Sequence, residues 1–421
     1  MTRDNRPIRI EAETRDRPPG TPPPTIRRAT REDEADVVGL LTRENLENDF
    51  EPREFLVAVS ADRVVATARL KRFPDGTLEL ASVATAPSHR GTGLGAAIVR
   101  ASLDGVEEPV HALALAPGFF ERLGFRAVAG LAPALREKAS SNCGARDFTA
   151  MVWEPPAMRT ARAEVREAYD RVATTARATG QAAARPAATG SAGCCAPSKQ
   201  AAVLLGPQRP PPTGFYAAEV LARAPSAAHL GLGTGDPVTA ANLAPGETVV
   251  DLGSGPGLDV ILAAKAVGPT GRAIGFDMTP TMLDLAREHA RAAGVENAEF
   301  HEAPIEALPL EDGAADVVVS NCVFNLSPDK PRAVAEAFRI LRPGGRFVVS
   351  DTLRLESGSD ASSGARCNVD CGCVGGALSE PEWRAHLAAA GFEDVEVDPL
   401  GPFGDADGVG RAMIRATKPA S

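Results

Sequence analysis

The sequence predicts an α/β protein in two units, a mixed-sheet unit followed by a doubly wound parallel sheet. Three observations carry that expectation. Between Thr25 and Trp153, two strands joined by a tight turn lead into a third strand, a glycine-rich turn and a helix. From Thr248 onward strands and helices alternate, the pattern of a parallel sheet covered on both faces. Between the two lies an Ala-, Gly- and Pro-rich stretch, Gly180–Pro212, that reads as a loop or mobile arm. At 421 residues the chain has room for two or three domains. With 44% hydrophobic but only 5% aromatic residues, its cores must be built largely from Ala, Val and Leu.

The elements follow in order. Residues 1–24 are charged and Pro-rich (R-P-P-G-T-P-P-P) and are expected to be disordered. Thr30-Arg31-Glu32-Asp33 is a capping-box pattern that opens a helix reaching about Leu46. Phe55–Val59 and Val64–Leu70 read as strands around a turn at Ala61-Asp62-Arg63, and Thr77–Val83 as a third. A helix from Leu94 to about Leu103, a strand at Val110–Ala116, a short helix at Gly118–Leu123 and a strand at Thr149–Trp153 complete a domain spanning 25–155. A helix at Ala161–Arg177 opens the segment 156–247. In 248–355, strands are expected at Thr248–Leu252, Ala273–Phe276, Ala298–His301, Ala315–Ser320 and Arg346–Ser350. Helices Asp259–Ala266, Thr279–Ala293 and Pro331–Leu341 lie between them, and 356–421 supplies a C-terminal segment with closing strands.

Composition removes several classes. A formal net charge of −10 argues against a nucleic-acid partner, since phosphate binding needs a basic surface. No apolar run approaches the roughly 18 residues of a membrane span, so no membrane partner is expected. The N-terminus (M-T-R-D-N-R-P) lacks the apolar core of a secretory signal. Seven cysteines, an odd number, then read as reduced thiols of a cytoplasmic protein.

Arg90-Gly91-Thr92-Gly93-Leu94-Gly95 follows the third strand and opens a helix. Its glycines let backbone N–H groups approach a ligand, and a helix N-terminus favours an anion. Taken with the element order and with Phe119-Phe120-Glu121-Arg122-Leu123-Gly124-Phe125, residues 25–153 resemble the GNAT N-acetyltransferases, most nearly the small ones associated with arsenic resistance. The resemblance implies a mixed sheet that binds acetyl-CoA. Arg90, Gly91, Gly93 and Gly95 would hold the pyrophosphate, and the strand segment Ser82–Thr85, through Val83 and Thr85, the pantetheine and acetyl groups. Many members use a tyrosine as general acid, yet the only tyrosines here, Tyr169 and Tyr216, lie outside this unit. Glu79 is a candidate general base or, equally, an exposed strand carboxylate. Cys143 reads as structural.

Asp251-Leu252-Gly253-Ser254-Gly255-Pro256-Gly257 also joins a strand to a helix. A dinucleotide fingerprint needs G-x-G-x-x-G, and Leu258 stands where its third glycine would be. The pattern resembles instead the D-x-G-x-G-x-G of class I methyltransferases, which implies a Rossmann-like domain holding S-adenosylmethionine. Asp277, about 20 residues on at the next strand end, suits ribose hydroxyls, with Met278 beside it. Ile305-Glu306 follows the third strand, where this class cups adenine, and Leu341-Arg342-Pro343-Gly344-Gly345 is its usual helix-to-strand turn. The expected cofactor set is Asp251, Gly253, Ser254, Gly255, Gly257, Asp277, Met278, Ile305, Glu306 and Asn321.

The thiols carry the substrate information. Cys322, in S-N-C-V-F-N-L-S-P-D-K, ends the fourth strand at the sheet edge where ligands bind; a buried apolar cysteine is the plain alternative. That run resembles the arsenite methyltransferase family, as do V-R-E-A-Y-D-R-V-A, L-G-L-G-T-G-D-P, F-D-M-T-P-T-M-L and C-V-G-G-A-L-S, over roughly Val165 to Val397. The resemblance implies that Cys322 and Cys373 bind trivalent arsenic as substrate, arsenic being soft and preferring thiolates. Thiol-held arsenic keeps a lone pair that can attack a sulfonium methyl in line, with proximity supplied by the protein. Methylation formally oxidises arsenic, so the resemblance also implies a transient protein disulfide reduced by thioredoxin or glutathione.

One departure stands out. Thr234 occupies the place where the family usually has a third arsenic-binding cysteine, and a hydroxyl cannot replace a soft thiolate. Cys371, Cys367, Cys194 or Cys195 would complete the site, or two thiols hold the substrate and methylarsenite is preferred over arsenite. Cys194-Cys195 read as ligands on a mobile arm, as a resolving pair, or as part of a linker. Cys367, Cys371 and Cys373 lack a well-spaced fourth zinc ligand, His386 lying in a helix pattern. Two alternatives stay open: a metalloid-binding or sensing protein without turnover, and a methyltransferase of another small molecule.

Overall fold

A computed structural model describes residues 8–9, 24–128, 131, 133–142, 148–179, 215–355, 375–403 and 408–420. The chain divides into two compact units, Met1–Ala157 and Met158–Ser421.

The first unit is one mixed sheet. Its strands are β1 (Ile8–Arg9), β2 (Thr25–Arg28), β3 (Phe55–Ser60), β4 (Arg63–Arg72), β5 (Leu78–Thr85), β6 (Val110–Ala114), β7 (Phe125–Ala127) and β8 (Thr149–Trp153), in the order β1-β2-β3-β4-β5-β6-β8-β7. Ile8 and Arg9 pair antiparallel with Ile26 and Thr25, a short strand inside the stretch expected to be disordered. Edge pairing uses backbone groups and needs little from composition, which is why the sequence hid it.

Apolar residues on the two sheet faces meet different helices. Leu78 and Leu80 pack with Leu94 and Ile98 of the helix Leu94–Leu103, while Phe55 and Val57 pack with Val37 and Leu41 of the helix Glu34–Arg43. Two irregularities shape the middle of the sheet. Arg69 pairs with Ala81 and Thr67 with Ala84, so Ser82 and Val83 form a bulge, with Ser82 at φ +49°. β5 and β6 run parallel but pair only at Leu78–Val110 and Glu79–His111, and part beyond that point.

The second unit is the doubly wound sheet. Its strands are β9 (Thr248–Leu252), β10 (Arg272–Asp277), β11 (Ala298–Glu302), β12 (Ala315–Asn321), β13 (Leu341–Arg354), β14 (Leu378–Ser379), β15 (Glu393–Pro402) and β16 (Val409–Thr417). Their order is β11-β10-β9-β12-β13-β16-β15, with β14 beside β13. From β9 the chain winds out through β10 and β11, then returns to β12 on the other side, so the C-terminal ends of β9 and β12 mark the switch point where ligands bind. β13 runs well beyond the expected Arg346–Ser350 because antiparallel β16 pairs with it from Arg346 to Arg354.

Both sheet faces are covered. Val250, Leu252, Phe276, Phe324 and Phe347 fill one side; Val249, Val260, Ile261 and Ala273 fill the other. The helix Pro156–Thr179 lays Val172, Ala173 and Ala176 on Leu230, Met282 and Leu285. Among the described residues no helix is long and apolar enough to cross a membrane.

Candidate functional site

The second glycine loop is shaped by its neighbours as much as by its own glycines. Gly253 N–H and Ser254 N–H donate to the Phe276 carbonyl (2.8 and 2.9 Å), and Gly255 N–H donates to Asp277 Oδ2 (2.9 Å). Gly257, at φ +88°, caps the helix Leu258–Val267. Gly253 is at φ +77°, and a Cβ there would sit 2.4 Å from a Val323 methyl. Only glycine lets the turn after β12 come down on the loop. That turn carries Cys322.

One cleft gathers these elements. Asp251, Gly253, Ser254, Gly255, Asp277, Met278, Ile305, Glu306, Asn321 and Cys322 all line it, together with Arg162, Tyr169 and Tyr216. Gly257, expected in the same set, shapes the loop from below and does not line the cleft. Sequence reasoning missed Tyr169 and Tyr216 as cleft residues, noting them only for their absence from the first unit. Asp259, expected only as the start of a helix, is a further cleft residue; its place two residues past the last loop glycine was the available signal.

The cleft is acidic. Burial, reinforced by Asp259 and Asp277, pushes the Asp251 carboxyl well above the usual range. Burial likewise raises Asp277 and pushes Asp259 up to about 6. Tyr216 donates to Asp259 Oδ1 (2.6 Å), and Asn321 Nδ2 donates to Tyr216 Oη, Gly235 O and Asp259 Oδ2 (2.8, 2.9 and 3.2 Å). Asp277 also accepts from Thr279 N–H (2.8 Å). Glu306 is engaged: Arg162 Nη1 and Ser327 Oγ both donate to its carboxylate, at 2.9 and 2.5 Å.

These groups fit S-adenosylmethionine. Buried carboxylates suit its ammonium and sulfonium, and Asp277 retains lone pairs for ribose hydroxyls. Ser254 lines the cleft with its backbone side of the loop, while its Oγ, turned toward Gly275, is a buried polar atom without a hydrogen-bond partner among the described residues.

Cys322 is buried at the mouth of β12, at φ +62°, and its N–H donates to the Ser350 carbonyl (2.8 Å). A non-glycine residue in that region is uncommon and costs about 1–3 kcal/mol, so the surrounding packing holds it there. Thr234 is fully buried and turned onto Ser350, its Oγ1 2.9 Å from Ser350 Oγ, while its N–H donates to Asn321 Oδ1 (2.8 Å). It does not line the cleft. Cys143, Cys194, Cys195, Cys367, Cys371 and Cys373 lie outside the described residues, and so does the Gly180–Pro212 stretch.

In the first unit, Gly91 and Gly93 sit at φ +77° and +83°, and a Cβ on either would meet nothing within 4 Å. That face of the loop is open for a ligand to approach backbone N–H groups. Gly95 packs closely under Thr85, its would-be Cβ 3.1 Å from Thr85 Oγ1. Arg90 Nε donates to the Thr85 carbonyl (3.2 Å), and its guanidinium pairs with Glu44. Val83 lies in the bulge of β5, where the sheet opens toward β6. A helix N-terminus with open glycines suits a pyrophosphate, and the parted strands suit an extended pantetheine. Glu79 is not the exposed strand carboxylate allowed for above: it is 2% exposed and ion-paired with Lys138.

Fold and site together define an acyltransferase-type unit followed by a methyltransferase-type unit. Residues 51–127 match the acetyltransferase (GNAT) domain family and residues 243–391 the methyltransferase domain family. The relatives that the chain is similar to include arsenite methyltransferases, alongside demethylmenaquinone methyltransferases. The chain is 44% identical over 213 residues to arsenite methyltransferase of Halobacterium salinarum, covering 50% of this chain and 52% of that protein. It is 42% identical over 164 residues to arsenite methyltransferase of Aquipseudomonas alcaligenes (36% and 46% covered). The chain thus spans about half the length of these curated relatives. The crystal structure of the arsenic(III) S-adenosylmethionine methyltransferase of Chlamydomonas reinhardtii is 33% identical, with a TM-score of 0.39, 48% of this chain and 70% of that chain covered.

Proposed function

We propose that the second unit methylates thiol-bound trivalent arsenic and that the first unit is an acetyl-CoA-dependent N-acetyltransferase. One observation carries the methyltransferase reading: Cys322 lines the same cleft as the glycine loop, and its neighbour Val323 rests on Gly253.

When bound, S-adenosylmethionine supplies an electrophilic methyl group. The chain's own residues do the rest. Asp259 presents negative charge to a cationic ligand, and Asp251 can add to it by yielding its proton as the cation binds. Asp277 orients the ligand through its hydroxyls, and the backbone of Gly253–Gly255 lets it approach closely. Tyr216 and Asn321 hold Asp259 in place. Cys322 binds the arsenic, with Cys373 as the second thiol. No general base is required, because trivalent arsenic already carries a lone pair. Electrons for the next cycle come from a thiol reductant of the thioredoxin or glutathione type.

Thr234 supports a preference within this reading. With its side chain buried against Ser350, it adds no ligand, and a two-thiol site matches methylarsenite, which has two exchangeable positions. Initial rates of the full-length protein on arsenite and methylarsenite, with a dithiol reductant, should favour methylarsenite. A clearly faster rate on arsenite would sink the two-thiol account.

A further inference from the structure

The first unit holds an ammonium group between two carboxylates, beside the place where its sheet opens. Lys138 Nζ, on the helix Pro133–Asn142, donates to Glu79 Oε1 and Oε2 (2.8 and 2.7 Å) and lies 2.8 Å from Glu47 Oε2. Glu79 belongs to the last pair, Glu79–His111, before β5 and β6 part. Glu47 is tied to the bulge from the other side, its carbonyl accepting from Ser82 Oγ (3.2 Å). The ammonium seat therefore adjoins both features that open the sheet for an acyl donor.

The wider charge balance also favours a cation. Arg69 is held by Asp49 and Glu54, with Glu47 at 4.0 Å, and Lys71 acts electrostatically on Asp49 and Glu79. Four carboxylates thus face three cations. Packing alone would be served as well by an apolar side chain, since burying an ion pair carries a large desolvation cost. An acceptor that arrives as an ammonium needs such a seat.

We propose that Glu47 and Glu79 form the acceptor-amine seat of the acetyltransferase unit and that Lys138 is its internal occupant, competing with the acceptor and open to acetylation itself. This rests on the acetyltransferase reading of the unit. The step balances as follows. The ammonium gives one proton to Glu79, and the amine attacks the thioester carbonyl of acetyl-CoA. The C–N bond forms as the C–S bond breaks, and the second nitrogen proton goes to the leaving thiolate. Acetamide and coenzyme A thiol result, and Glu79 returns its proton to water. Burial raises the Glu79 carboxyl above its ordinary range, which suits it to take that proton. Against the burial that would lower it, Glu79 and Glu47 hold Lys138 above its own ordinary value, so the seat keeps an ammonium until the acyl donor draws on the nitrogen.

The test uses the full-length protein with acetyl-CoA, peptide mass spectrometry of its lysines, and a thermal-shift measurement of acetyl-CoA binding. Acetylation at Lys138 should exceed that at exposed Lys265 by at least about tenfold, as proximity requires, and should fall to the Lys265 level in Glu79→Gln. In Lys138→Met, added ethylammonium should be converted to N-acetylethylamine faster than by the wild type. Absence of acetyl-CoA binding would overturn the acetyltransferase reading and the seat together. Binding with Lys138 no more acetylated than Lys265 would overturn the seat alone, even if Lys138→Met failed to fold.

Discussion

Two glycine loops, each joining a strand to a helix, serve opposite charges in this chain. In the first unit the open faces of Gly91 and Gly93 lie at a helix N-terminus, with Arg90, paired to Glu44, beside them. In the second unit the loop is pressed from above by Val323 and ringed by Asp251, Asp259 and Asp277, whose buried carboxyls are all raised. The first suits an anionic pyrophosphate and the second a cationic sulfonium. Glycines mark where a ligand approaches backbone; the charges around them decide which ligand.

The largest effect should come from the thiol. Cys322→Ser should lower methyl transfer to methylarsenite by at least about a thousandfold, because a hydroxyl holds arsenic poorly and proximity is lost. Calorimetry should show S-adenosylmethionine binding nearly unchanged, and acetyl-CoA binding by the first unit untouched. Loss of S-adenosylmethionine binding together with activity would mean that Cys322 is simply core.

Alanine at matching glycines breaks the comparison next. Gly253→Ala combines a positive φ with a methyl 2.4 Å from Val323 and should cost about 3 kcal/mol, roughly a hundredfold in cofactor affinity. Gly91→Ala meets open space and should cost only about 1 kcal/mol. Equal losses, read by chemical denaturation and calorimetry, would contradict the idea that the two loops are confined differently.

The pH dependence is smaller and of defined sign. Asp259 sits at about 6 in the folded protein against 3.8 as its ordinary value, so the folded state binds the extra proton between those values. Stability of the cofactor-free protein should therefore fall as pH rises from about 4 to about 6 and level off above. S-adenosylmethionine affinity should rise across the same upper edge, by up to about tenfold, as the carboxylate ionises. Asp259→Asn should flatten that titration. A pH-independent affinity from pH 5 to 7 would remove Asp259 from the cofactor account.

The smallest effect is at Thr234. Thr234→Ala loses one buried hydrogen bond to Ser350 and should cost about 1 kcal/mol in urea denaturation. Its rate on methylarsenite should stay within about twofold.

How much could be read beforehand depended on what carried each feature. The strand β9, the helix Leu94–Leu103 and the second loop were legible because period and glycine spacing are local properties. The length of β13 was not, since β16 extends it from far along the chain. The glycine loop announced itself, but Gly253 owes its necessity to Val323, 70 positions away. Glu79 was visible as a carboxylate on a strand; its lysine partner, 59 residues on, was not. Tyr216 and Asp259 were equally hidden, since a hydrogen bond across 43 residues leaves no trace in spacing.

The central claim is that Cys322 and the second glycine loop form one methyl-transfer site for arsenic. The direct measurement is incubation of the full-length protein with methyl-labelled S-adenosylmethionine, methylarsenite and a dithiol, followed by identification of the arsenic species. The account predicts labelled dimethylated arsenic, formed by the wild type and absent with Cys322→Ser. Cofactor binding without any labelled arsenic product in the wild type would contradict it.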